Sequence, residues 1–279
     1  MIWKTLAEWY RAHGRDLPWR RTDDPYRIAV SEFMLQQTQV DRVVPLYRRF
    51  LKSFPSWKAL ARAPQADVVR AWKGLGYNMR AVRLRKLAEG VLAGFGGRLP
   101  SDQDALLKLY GIGPYTARAL RVFAFRERAL APDTNLRRVL TRVFKGPDAD
   151  PKAFDARAWA RWEASLPAEL SYDVNQGLMD LGATVCKAGR PHCDACPVSR
   201  FCASYPKILS MKSLPKQKAA RQERVDADGV PDRIHRGRVI EALREGPAPE
   251  RKFADLARIL ASLEKDGLIK REGGRVLLA

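Results

Sequence analysis

Apolar residues recur at helical spacing over most of this chain. Leu136, Val139, Leu140, Val143 and Phe144 fall at i, i+3, i+4, i+7 and i+8, one apolar stripe with Arg137, Arg138 and Arg142 outside it. Similar stripes over 39–52, 80–93 and 115–125 predict further helices, and SEFMLQQTQV around Glu32 reads as another. Pro and Gly at 55, 64, 74, 76, 94, 96–97, 100 and 111–114 predict tight turns between short helices. Alternation of the β type is confined to GLIKREGGRVLLA, a hairpin expected to turn at Gly273-Gly274. The fold class expected is therefore all-α in the main.

A polar, lysine-bearing stretch over about 207–232 reads as a linker. Beyond it come a helix (235–245), a second stripe (Phe253, Leu256, Ile259, Leu260, Leu263) and the hairpin. Helix, helix and two-stranded wing outline a winged-helix-like domain over 233–279, an architecture that serves nucleic-acid binding and protein contact alike.

Composition sharpens the picture. Lys and Arg total 51 against 31 Asp and Glu, a net charge of +20. Such an excess is the footprint of a protein attracted to a polyphosphate, and nucleic acid is preferred over an anionic membrane. Residues 207–279 carry a net +6 and residues 1–206 the remaining +14, so the main body is expected to hold DNA by itself. The N-terminal MIWKTLAEWYRAHGRDLPWR breaks its apolar residues with charges, unlike a signal peptide or a transmembrane span. A cytoplasmic, nucleoid-associated protein without a membrane partner is expected.

Four cysteines, Cys186, Cys193, Cys196 and Cys202, are the only ones in the chain and lie within 17 residues, spaced C-x6-C-x2-C-x5-C. Four thiolates that close can enclose a tetrahedral zinc or a cubane iron–sulfur cluster. Zinc sites usually come as two C-x2-C pairs, and only one short pair exists here, so a [4Fe–4S] cluster is expected over zinc. Two disulfides are the alternative, against which stands the long cysteine-free remainder.

Three further features carry candidate chemistry. LYGIGPYTARAL joins two predicted helices, and Gly111 and Gly113 can take positive φ and bring bare backbone to a phosphate at the start of the next helix; a plain helical hairpin is the other reading. Glu32, with Ile28 at i−4 and Leu35 at i+3, would lose hydration if buried, raising its pKa so that it donates a proton near neutrality. An exposed helical glutamate is the alternative. Asp133 precedes the helix that begins near Asn135 and is explained first as its N-cap.

DDPYRIAVSEFMLQQTQV, AWKGLGYNMRA, LYGIGPYTARAL, APDTNLRRVL, NQGLMDLGATVC and the cysteine spacing occur in this order. Together, over about residues 3–206, they resemble the helix–hairpin–helix DNA glycosylases related to endonuclease III, and within them the MutY-type adenine glycosylases. The resemblance implies a six-helix domain (about 23–133), a cluster domain from 1–22 and 134–206, and one structural [4Fe–4S] cluster. A monovalent cation at the hairpin is a further implied ligand, and the partner implied is double-stranded DNA with a mispaired base, bound by a monomer.

The same resemblance implies roles at matching positions. Glu32 would protonate the adenine ring at N7, and Asp133 would stabilise the cationic sugar. Tyr115 and Asn135 would support that cation. Trp19 and Arg20 would line the base pocket, with Gln176 added. Gln37 and Tyr77 would be pushed into the duplex beside the extruded nucleotide. Gly111, Gly113 and Thr116 of the hairpin would meet DNA, as would Lys187 and Arg190, for which a solvated loop is the other reading. Tyr115 stands where lyase-type relatives carry a Schiff-base lysine, which implies a monofunctional enzyme. Tyr110 replaces the family's usual proline, and Ala131 and Thr134 replace its glycines. The 70-odd C-terminal residues are too few for the Nudix-like domain of many MutY proteins. The activity expected is excision of adenine opposite 8-oxoguanine or guanine. A mismatch thymine or uracil glycosylase and a non-catalytic DNA-binding module are the alternatives.

Overall fold

A computed structural model describes residues 1–151, 156–211, 224–226 and 228–279. The N-terminal helices are α1 (Ile2–His13), α2 (Pro25–Leu35), α3 (Val40–Ser53), α4 (Trp57–Arg62) and α5 (Gln65–Ala71). They are followed by α6 (Met79–Phe95), α7 (Gln103–Lys108), α8 (Pro114–Phe123) and α9 (Thr134–Lys145). Then come α10 (Ala156–Ala164), α11 (Ser171–Thr184), the short α12 (Lys207–Ser210), α13 (Asp232–Arg244) and α14 (Ala257–Lys265). Strands β1 (Ala248–Pro249), β2 (Ile269–Glu272) and β3 (Arg275–Leu278) form one antiparallel sheet in the order β1-β3-β2. No described helix is long and apolar enough to cross a membrane.

The chain forms two compact units from interleaved segments: Met1–Ile28, Ser101–Leu107 and Gly113–Lys218 in the first, Ala29–Pro100, Lys108–Ile112 and Ala219–Ala279 in the second. In the first, α11 packs against α1, α8 and α9 around Leu6, Leu136, Val139, Leu140, Val174 and Leu178. The stripe expected on α9 is buried from Leu136 to Val143, whereas Phe144 stays 38% exposed, stacked on Trp162. Arg138 and Arg142, expected in solvent, are buried instead, because carbonyl oxygens of the loop after α11 accept from both guanidinium groups.

In the second unit α6 packs on α4 and α5, with Trp72 fully buried and edge-on to Phe50. The helix expected over SEFMLQQTQV stops at Leu35; residues 36–39 turn, and Gln37 takes φ 56°. The expected hairpin is present, with Gly273 and Gly274 both at positive φ, as a tight two-residue turn requires. A third strand, β1, was not expected. The sheet packs on α13 and α14 and, through β3, on α5. Of the expected linker, residues 212–223 and 227 lie outside the described residues; Lys207–Ser210 is helical, with Ile208 buried.

Candidate active site and cysteine-lined loop

Asp133 caps α9. Its extended backbone lets one carboxylate oxygen, Oδ1, accept from the Leu136 amide at 2.6 Å, satisfying an otherwise orphaned helix donor. The other, Oδ2, accepts from Asn135 Nδ2 at 3.1 Å. Burial pushes the Asp133 carboxyl above the usual carboxylate range, and these donors, with Arg138 nearby, oppose the rise. The strand of chain leading to Asp133 is pinned from α10 and α11. Asn175 Oδ1 accepts from the Ala131 amide and its Nδ2 donates to the Ala129 carbonyl, while Glu163 Oε2 accepts from the Leu130 amide. Asn175 is fully buried, so the loop is fixed by a desolvated amide whose partners are all backbone.

From Asn135 the bonding continues to the cysteine loop. Asn135 Oδ1 accepts from Arg138 Nη2 at 2.8 Å, which also donates to the Gly182 carbonyl at 2.7 Å, while Arg138 Nε donates to the Cys186 carbonyl at 2.8 Å. Arg142 donates to the Lys187 and Ala188 carbonyls and lies 3.4 Å from Cys186 Sγ. Gly182 allows this approach, since a Cβ there would stand 2.6 Å from Asn135 Cβ.

All four cysteines line one cavity, walled also by Val139, Val143, Leu181 and Ile208. Burial raises the Cys193 and Cys202 thiols and pushes Cys196 up to about 11, with charge on neighbouring cysteines adding to each rise. Among the described residues no group of three or more His, Cys, Asp or Glu stands at metal-binding spacing. The chemistry of the donor set nevertheless fits a soft cationic centre: four thiols line one apolar cavity, and three of them, Cys193, Cys196 and Cys202, are costly to ionise without a metal. Lys187, Arg190 and His192 are exposed on the intervening loop.

Glu32 is only 7% exposed on α2, whose neighbours Ile28, Ala29, Val30, Phe33 and Met34 are buried. The exposed alternative is thereby excluded. Asp24 caps this helix, its Oδ1 accepting from the Tyr26 amide at 2.8 Å. In the hairpin only Gly111 takes the left-handed region (φ 83°), and a Cβ there would meet the Phe33 ring and Arg83 Cβ at 3.3 Å. Gly113, expected to share that conformation, is extended at the N-cap of α8 (φ −99°, ψ 176°). Tyr115 is half-buried on the first turn of α8, and Thr116, expected to meet DNA, is 4% exposed.

Trp19 and Gln176 are buried, at 8% and 5%. Arg20 is committed elsewhere than a ligand: its two terminal nitrogens fork onto Asp180 at 2.8 Å each, and Arg15 joins the same carboxylate. Burial would raise the Asp180 carboxyl, but the two arginines outweigh that and hold it low. Asp180, Asn175, Arg138 and Arg80 were missed by sequence reasoning. A lone acid in the apolar run NQGLMDLG, four residues after Gln176, was the available signal for Asp180. Gln37 and Tyr77 are exposed, and both stand at positive φ, 56° and 45°.

A model of the HhH-GPD superfamily of base excision DNA repair proteins matches residues 30–164. Over 98% of its length the chain is 39% identical to the adenine DNA glycosylase of Mycolicibacterium smegmatis, covering 94% of that protein. It is 33% identical to the thymine/uracil-DNA glycosylase of Methanothermobacter thermautotrophicus, over 73% of this chain and 92% of that one. The solved structure of a thermostable thymine-DNA glycosylase superposes with a TM-score of 0.68 at 32% identity, over 74% of this chain and 95% of that one.

Proposed function

Because the chain belongs to the HhH-GPD superfamily of base excision DNA repair proteins, we propose that it is an adenine DNA glycosylase that releases adenine mispaired with 8-oxoguanine or guanine. One observation carries the reading. Asp133 is a desolvated carboxylate to which no cationic side chain bonds directly among the described residues. A charge kept that way is suited to face a cation that appears during the reaction. The adenine preference is supported by the mycobacterial relative, whose match runs through the C-terminal segment, whereas the thymine/uracil relative matches 73% of the chain.

In the proposed reaction Glu32 gives its proton to N7 of the extruded adenine. The C1′–N9 bond breaks and its electron pair leaves with the base. Asp133 holds the resulting sugar cation, with Asn135 and Tyr115 in support, until water adds at C1′ and loses a proton. The products are free adenine and an abasic site. Trp19 and Gln176 line the base pocket, with Arg20 shaping it from its Asp180 fork. Gln37 and Tyr77 are the wedges, and unstacking costs a few kcal/mol that they must offset. Tyr115 cannot form an imine, so the strand stays largely uncut.

Cys186, Cys193, Cys196 and Cys202 would hold a [4Fe–4S] cluster whose contribution is to cross-link the loop that presents Lys187 and Arg190 to phosphates. The hairpin around Gly111, Gly113 and Thr116 would take a phosphate, and a monovalent cation beside it. The C-terminal helices and sheet are read as a winged-helix-like module, and the working species as a monomer.

Single-turnover base release from duplexes holding A:8-oxoG, A:G, T:G and U:G tests the proposal. Release of adenine, slowed roughly 10²–10⁴-fold by Glu32→Gln or Asp133→Asn with DNA binding kept, is the expected result. Release of thymine or uracil instead would favour the reading that the thymine/uracil relative supports. No released base from any duplex would leave only a DNA-binding module.

A further inference from the structure

Arg80 sits at the first turn of α6 with 5% exposure, and its guanidinium is surrounded by oxygen. Nη1 donates to the carbonyls of Phe33 at 3.0 Å, Met34 at 2.9 Å and Gln36. Nη2 donates to the carbonyls of Leu75 at 3.0 Å and Gly76 at 3.3 Å and to Thr38 Oγ1 at 3.2 Å. One terminal nitrogen therefore serves chiefly the end of α2 and the other chiefly the turn before α6. Thr38 alone crosses over.

This is an expensive place for a cation. No carboxylate among the described residues pairs with it, its Nε is buried without a partner, and burial pulls the guanidinium down to about 10. The rings of Trp72 and Tyr77 offer partial compensation, 5.7 and 5.6 Å from its central carbon. A cation near a helix N-terminus is also opposed by the helix dipole. The two turns it bridges share one peculiarity. Each carries a non-glycine residue at positive φ, Gln37 and Tyr77, with an exposed side chain. Left-handed backbone at such residues is strained and persists only where the surroundings over-determine it. Six acceptors on one planar fork supply that constraint, and a lysine ammonium, with three donors at a single point, cannot span both turns.

We infer that Arg80 is a positioning residue for nucleotide extrusion: its guanidinium clasps the two turns that present Gln37 and Tyr77 and holds those wedges in register. The inference rests on the wedge reading proposed above. It is tested with the full chain and a duplex carrying 2-aminopurine at the target position, whose fluorescence rises on unstacking. Arg80→Lys is expected to lower the extrusion equilibrium about tenfold, the size of releasing one strained turn. In a Gln37→Ala/Tyr77→Ala background the same substitution is expected to change it less than twofold.

An equal defect in both backgrounds, or no defect in the native one, would overturn the assignment. Should Arg80→Lys not fold, Thr38→Val, which removes the one side-chain acceptor, is measured in the same cycle and is expected to give a smaller defect that also vanishes without the wedges. If Gln37→Ala/Tyr77→Ala itself leaves extrusion unchanged, the wedge reading fails and the clasp loses its purpose with it. That result is distinct, because it is read without touching Arg80.

Discussion

Asp133 caps a helix and, in the proposed reaction, faces a cation. Its carboxyl is raised by burial against the pull of the Leu136 and Asn135 donors, so the folded chain binds its proton more tightly than the unfolded chain does. Stability contributed at this site therefore falls as pH rises from the unfolded value, near 3.9, through the folded one, and the penalty is complete above that window. Asp133→Asn keeps a capping oxygen and removes the charge. It is expected to melt above the native chain at pH 7 and level with it near pH 4, while base release is slowed. Thermal unfolding from pH 4 to 8 checks this, and a lower midpoint at pH 7 would show that the charge is a net gain to the fold. The cap itself was legible in the sequence, since Asp before a helical stripe has few other readings. Its partners were not. Arg138 looks solvated because it is charged, and besides Asn135 it is the carbonyls of Gly182 and Cys186, more than forty residues on, that offset the cost of its burial.

Elements were legible where the signal was local. The α9 stripe, the three other expected stripes and the Gly273-Gly274 hairpin are all present, because periodicity and turn chemistry act within a few residues. The end of α2 was misread because the carbonyls of Phe33 and Met34 in its last turn, and of Gln36 just beyond it, are taken by Arg80 from another helix. β1 was missed because two residues carry no alternation. Between α9 and α11 the packing makes its own prediction at Gly182. Glycine to alanine within a helix ordinarily stabilises by about 1 kcal/mol. Here the added Cβ would stand 2.6 Å from Asn135 Cβ and 3.2 Å from Arg138 Nη2. Gly182→Ala is therefore expected to cost about 1–3 kcal/mol by overpacking and to slow base release with it. Calorimetry and single-turnover rates check it, and a stabilised, fully active variant would mean that the relay from Asp133 to the cysteine loop has slack.

Over the whole molecule the +20 charge sets how DNA is approached, and particular residues can be weighed within it. Lys187 and Arg190 are exposed beside the cysteines. If each neutralises one phosphate, Lys187→Ala or Arg190→Ala lowers the slope of log affinity against log salt by about 0.9, with the rate of base release at saturation unchanged. Unaltered slopes would return that loop to solvent. The C-terminal segment is tied to the rest of its own unit by different means. The side chain of Arg244 in α13 is 7% exposed, and its Nη2 donates to the Val69 carbonyl at 3.1 Å and Asn78 Oδ1 at 3.0 Å. Glu241 pairs with Lys73 at 2.7 Å on the same contact, but both of those side chains are about half exposed. Solvent screening makes such an exposed pair worth less than about 1 kcal/mol. A buried carbonyl stripped of its donor costs about 1–3 kcal/mol. Arg244→Ala is thus expected to lower the melting midpoint by several degrees and Lys73→Ala by hardly any. Equal shifts would mean that charge at the surface, rather than the buried fork, holds α13 to the turn that carries Tyr77.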